Sequence, residues 1–104
     1  MSTTSDRDDP GLKEVLPNGQ NAKYLVLSEE ERQKGFIRPV HRTYRHTLCS
    51  TETTMGEALS ETYARQPTFY GATFCAHCKA HFPVGEDGEF FWKVSGGDGP
   101  KVGT

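Results

Sequence analysis

Two spaced pairs of metal-ligand residue types constrain this chain more than any other feature it has. The stretch "YRHTLCS" sets two residues between His46 and Cys49, and "FCAHCKAHFP" sets two between Cys75 and Cys78. Twenty-five residues, 50–74, separate the pairs. The chain has three cysteines, an odd number, so they cannot close a disulfide framework among themselves. A two-residue gap lets one tight turn aim both side chains at a single point. Two such turns facing each other make a tetrahedral Cys₃His set, a ligand combination that structural zinc accepts. The pattern therefore predicts Zn²⁺ held by His46, Cys49, Cys75 and Cys78.

Spacing leaves the fourth ligand open. His46 fits the two-plus-two symmetry, His81 offers a tighter Cys75-x2-Cys78-x2-His81 arrangement, and His41 and His77 are further candidates. Two other readings compete. A redox pair at Cys75 and Cys78 would normally sit at a helix N-terminus, but "KAHFPVGEDG" follows the pair and Pro83 argues against a helix there. Three cysteines acting as small buried hydrophobes would not need paired spacing.

A metal also answers a shortage of core. The 104 residues are 34% hydrophobic, with a mean hydropathy of −0.68. The first ten residues hold one apolar side chain, Met1, and "SGGDGPKVGT" holds only Val102. We expect residues 1–22 to be disordered, 23–95 to fold as one domain, and 96–104 to form a flexible tail. A domain this small is marginal without a staple.

Local signals place the elements. "KYLVL" reads as a short strand, and "SEEERQKG" as a turn or two of helix with a Ser28–Glu31 capping box and a stop at Gly35. "FIRPVHRTYRH" reads as extended, with Pro39 at an edge or bend. In "TTMGEALSETYARQP" the residues Met55, Ala58, Leu59, Thr62 and Tyr63 form a helical stripe. Thr54 and Glu57 make a second capping box there, and Pro67 ends the run. "TFYGATFC" and residues 89–94 read as strands, with a turn at 86–88. The expected fold is α+β: a small zinc-ribbon-like antiparallel sheet with a helix inserted between the two metal knuckles.

Charge is unevenly spread. Residues 1–31 carry seven acids and three bases, whereas 32–50 carry Arg32, Lys34, Arg38, Arg42 and Arg45 and no acid. Arg38, Arg42, Tyr44 and Arg45 are candidates for contacting a nucleic acid, an alternative function that would use segment 32–46. The bland reading is a solvated strand face that balances nearby acids. Aromatics crowd residues 69–92, and since Phe91 alternates with Phe90 and Trp92, one face of that strand exposes an aromatic unless something covers it. No nucleophile elbow accompanies Ser28, Ser50 or Ser60. A catalytic ion would need an open position, with Glu52 or Glu57 as base; the expectation is a binding protein, not an enzyme. No run approaches a membrane span and the polar N-terminus lacks an apolar leader, so the expected setting is the cytoplasm, with no membrane partner.

From "YLVLSEEERQKGFIRPVHRTYRH" through "TTMGEALSETYARQPTFYGATFCAHCKAHFPVGEDGEFFW", residues 24–92, the chain resembles a group of small proteins of bacteriophages and integrated mobile elements. Its knuckles also look like those of a zinc ribbon. It departs from that pattern in having His46 for the first cysteine, and Ser50 and Lys79 where glycine often follows a knuckle. The resemblance implies a context, with a host or phage protein as partner, more than a mechanism.

Overall fold

The computed structural model describes residues 2–104, and Met1 lies outside them. Two helices and eight strands are found there: β1 (Thr3–Thr4), β2 (Tyr24–Leu25), α1 (Glu29–Arg32), β3 (Thr43–His46), β4 (Glu52–Thr54), α2 (Glu57–Arg65), β5 (Ala72–Cys75), β6 (Ala80–Pro83), β7 (Phe90–Val94) and β8 (Gly97–Lys101). The class is α+β, and its sheets are mostly antiparallel. The main sheet runs β4-β3-β7-β8, β5 and β6 form a separate hairpin, and β1 and β2 pair in parallel. No helix among the described residues is long and apolar enough to cross a membrane.

Alternation along β3 and β7 builds the core. Tyr44 and His46 are buried while Thr43 and Arg45 are half-exposed; on β7, Phe90 and Trp92 are buried and Phe91 is half-buried. Helix α2 lays Leu59, Thr62 and Tyr63 on that inner face, and the Tyr63 and Trp92 rings meet edge to face at 5.4 Å. Phe91, on the outer face, lies under Lys101 Nζ at 5.6 Å. Cation and ring thus cover each other.

Helix α1 starts as its capping sequence requires: the Ser28 hydroxyl accepts from Glu31 N–H at 3.2 Å. Helix α2 starts later than expected. Thr54 is the last residue of β4, paired with Thr43, so it cannot cap; Gly56 takes the cap position with no side-chain bond. Strand pairing outcompetes the local capping signal here.

The two ends differ from the sequence expectation. Residues 2–22, expected to be disordered, form β1, a 3₁₀ turn at Pro10–Leu12 and a Val15–Asn21 bridge. Tyr24 N–H reaches Ser2 O at 2.9 Å and Val26 N–H reaches Thr4 O at 2.9 Å. Lys23 Nζ meets Asp9 Oδ2 at 2.8 Å. Residues 97–101, expected to be a flexible tail, form β8 against β7, and Val102 is fully buried. "GDGPK" has poor strand propensity, but pairing with an aromatic strand already in place overrides it.

Candidate metal centre

Each proposed ligand pair sits where one hairpin turns. His46 ends β3, the chain turns through Thr47–Cys49, and β4 follows; Cys75 ends β5, the chain turns through Ala76–Cys78, and β6 follows. Ser50 N–H closes onto His46 O at 2.7 Å, and Lys79 N–H closes onto Cys75 O at 2.8 Å. The hairpins are tied together beside the turns. Tyr44 donates its hydroxyl to Phe74 O, and Ala76 N–H donates to Thr53 Oγ1 at 3.2 Å. These ties carry the two turns to the same place although α2 intervenes in the chain.

One ligand atom from each of His46, Cys49, Cys75 and Cys78 lies within 4.8 Å of the others. His46 Nδ1 is 3.5 Å from Cys49 Sγ and 3.6 Å from Cys78 Sγ, and Cys49 Sγ is 3.5 Å from Cys75 Sγ. A tetrahedral ion with Zn–S of ~2.3 Å and Zn–N of ~2.0 Å would set N···S edges near ~3.5 Å and S···S edges near ~3.8 Å. These three separations are nearly those such an ion requires, and the remaining pairs lie within 4.8 Å. His46 and Cys75 are fully buried, and Cys49 and Cys78 are partly covered by the core.

The imidazole is held from three sides. Its ring stacks on Phe90 at 4.6 Å and meets the tilted ring of Phe82 at 4.4 Å on an adjacent side. Nε2 faces Glu89 Oε1 at 2.9 Å, which assigns the proton to Nε2 and leaves Nδ1 as the free donor to an ion. Glu89 was not anticipated as part of the site. Pairing of His46 with Phe90 across β3 and β7 brings it there, and no spacing signal announces that pairing.

The thiols of the cluster differ. Burial alone would push Cys49 up, but hydrogen bonds from the Thr51 backbone and side chain, Cys75 and His46 outweigh it and bring the thiol to about 6. Burial, with Cys75 and Cys49 alongside, pushes Cys78 up to about 11. The surroundings thus favour the Cys49 thiolate, whereas an ion bound by Cys78 must supply the positive charge that stabilises its thiolate.

Other candidates go elsewhere. His81 Nε2 is engaged by the Tyr24 hydroxyl at 2.8 Å, outside the cluster. His41 stacks on Trp92 at 5.5 Å, and His77 is exposed. Glu52 pairs with Lys93. Of the four candidate nucleic-acid residues, Tyr44 needs correction: it is fully buried and presents no face to a base. Arg45 forks onto Asp98, with Nε at 2.9 Å from Oδ1. Arg42 Nε donates to Met55 O and Arg38 Nε to Thr104 O. The four do not form one patch: Tyr44 points into the core and Arg45 is neutralised.

The fold and site thus define a small α+β protein with a buried Cys₃His cluster at the junction of two hairpins. Comparison with protein-family models, curated proteins and solved structures finds no match to this chain.

Proposed function

We propose that the chain is a small zinc-ribbon-like domain that holds one structural Zn²⁺ and works by binding another protein. The observation that carries the metal reading is the donor geometry: four ligand atoms within 4.8 Å of one another, three of their separations close to tetrahedral edges, and two of the residues fully buried. Such a site is closed. It leaves no coordination position for a water to be activated, which favours a structural ion over a catalytic one. Three thiolates and a neutral imidazole give the centre a net charge of −1, and zinc would add to the Tyr44–Phe74 and Ala76–Thr53 bonds that already join the two hairpins. Structural zinc binding of this kind contributes on the order of 10–16 kcal/mol to folding.

The protein-binding part rests on size and on the resemblance of residues 24–92 to phage and mobile-element proteins. A domain with a closed metal centre has its surface to offer, and in that context the partner is a host or phage protein in the bacterial cytoplasm. Modulating a host defence or regulatory complex is the form such an accessory protein would take.

Metal content per chain tests the reading, measured on protein purified without added metal, with folding followed by circular dichroism. The expected result is one zinc in the wild type and in His81→Ala, and loss or marked weakening in His46→Ala. A folded wild type free of metal overturns the reading. Full retention in folded His46→Ala shows an open coordination site and favours catalysis.

A further inference from the structure

We propose that the exposed segment Phe36–Arg42 docks an acidic, aliphatic-rich segment of a partner protein. This rests on the protein-interaction reading above and names the surface it uses.

The cations of segment 32–46 are mostly neutralised at home. Arg32 Nε lies 3.4 Å from Glu61 Oε1, Lys34 Nζ lies 2.7 Å from Glu31 Oε1, and Arg45 is held by Asp98. Arg38 and Arg42 differ. Both are exposed, and no Asp or Glu side chain of the described residues is within ion-pair distance; their hydrogen bonds go to main-chain oxygens, Arg38 Nε to Thr104 O at the last residue, Arg38 Nη1 to Ile37 O and Arg42 Nε to Met55 O. Two guanidinium groups thus face solvent with donors to spare.

Between and beside them stand large apolar side chains. Phe36 is 44% exposed, Ile37 60% and Val40 42%, so three of the six exposed large hydrophobics among the described residues fall within 36–40. One exposed apolar residue needs no explanation, but a cluster on a loop does.

The segment is also held in shape without regular structure. Ile37 and Arg38 N–H both donate to Ala64 O, at 3.0 and 3.1 Å, and Met55 N–H donates to Arg42 O at 2.8 Å. A loop pinned at both ends spends little entropy when a partner lands on it. Behind it is a cavity of about 30 Å³ lined by Arg38, Pro39, His41, Tyr63 and Trp92, among others. That is room for roughly one water or methyl group, so the partner lies across the loop and does not insert.

Charge complementarity selects the occupant. Carboxylates would answer Arg38 and Arg42, and aliphatic side chains would cover Ile37 and Val40. A nucleic acid fits less well: the chain's net charge is −2, Tyr44 is buried, and His41 is already stacked on Trp92.

The test titrates zinc-loaded full chain with four fluorescent probes. These are a short synthetic peptide alternating Glu with Leu, a counterpart with Lys for Glu, a counterpart with Ser for Leu, and oligo(dT). The Glu/Leu peptide is expected to bind best. Its affinity should fall roughly tenfold or more in Arg38→Glu/Arg42→Glu, and likewise in Ile37→Ser/Val40→Ser, at unchanged metal content and thermal stability. Absence of Glu/Leu binding, equal binding of the Ser or Lys peptide, or preference for oligo(dT) overturns the proposal. If a variant fails to fold, the probe comparison on the wild type still decides. Failure of the zinc reading shows separately, in the metal content of the wild type.

Discussion

Ser50 and Lys79 occupy the same place in two turns of the same shape. Each follows the second ligand of its pair, and each is left-handed, with φ of 60° and 56°. Each sends its N–H back to the carbonyl of the first ligand. They are the non-glycine residues with positive φ in the described chain, so backbone strain is concentrated at the two ligand turns.

Relieving that strain gives the first prediction. A left-handed conformation costs a residue with a Cβ about 1–2 kcal/mol, and glycine's extra freedom in the unfolded chain returns about 0.5–1 kcal/mol of it. Ser50→Gly and Lys79→Gly should therefore each stabilise the zinc-loaded protein by about 0.5–1 kcal/mol in chemical denaturation. Ser50→Val and Lys79→Val should destabilise it. A glycine variant no more stable than the wild type contradicts the assigned backbone.

Glu89 supplies the second. Its carboxylate orients His46 through Nε2, so removing it frees the ring to turn away from the thiols. In Glu89→Ala, zinc affinity measured by competition with a chromophoric chelator should fall about 10–100-fold, with Glu89→Gln in between. Unchanged affinity in Glu89→Ala would mean that contact with Phe82 and Phe90 holds the imidazole without help.

The N-terminal segment gives the third. Gly19 has φ of 91°, and a Cβ there would stand 2.0 Å from the Lys79 carbonyl oxygen. Gly35 has φ of 113°, but nothing lies within 4 Å of the corresponding position. Both alanine variants bear the conformational cost, and Gly19→Ala also pushes residues 15–21 off the second ligand turn. Thermal unfolding should show Gly19→Ala the more destabilised of the two, by about 1–3 kcal/mol. Equal losses would mean that the segment is not seated against Lys79.

The fourth concerns pH. The hydrogen bond from Lys23, with help from Gly11 N–H, holds the Asp9 carboxyl below the usual carboxylate range. The bond to Asp9 holds Lys23 above the usual lysine range. Asp9 therefore stabilises the docked segment above the ordinary carboxylate pKa, and loses that effect as pH falls through its depressed value. Lys23's contribution is present below the ordinary lysine pKa and is lost as pH rises through its raised value. Hydrogen-exchange protection of the Tyr24 and Val26 amides, which bond to Ser2 and Thr4, should fall on the acid side in the wild type. Asp9→Asn should show low protection with no such acid limb; matching profiles would sink the assignment.

Local signals were the legible ones. Ser28 caps α1 on Glu31 because a cap needs only three residues of neighbouring chain. The stripe of Leu59, Thr62 and Tyr63 is buried because helical period is set by the backbone. The spacing of His46 with Cys49 and of Cys75 with Cys78 marked two turns, since a turn that aims two side chains together is also local. Long-range pairing was not legible. Strand β1 finds β2 from about twenty residues away, β8 pairs through glycines and a proline, and Thr54 gives up its capping role to face Thr43. Each outcome depends on a partner whose position the rest of the fold establishes. The same holds at the metal centre. Which histidine joins the thiols was open among His41, His46, His77 and His81 until β3 set His46 against Phe82 and Phe90, and until the Tyr24 hydroxyl engaged His81. Glu89 enters the site only through the register of β3 on β7. Residue types and spacings determine what a turn can hold. Packing decides which turns meet, because burial is a property of the assembled core and not of any stretch of chain.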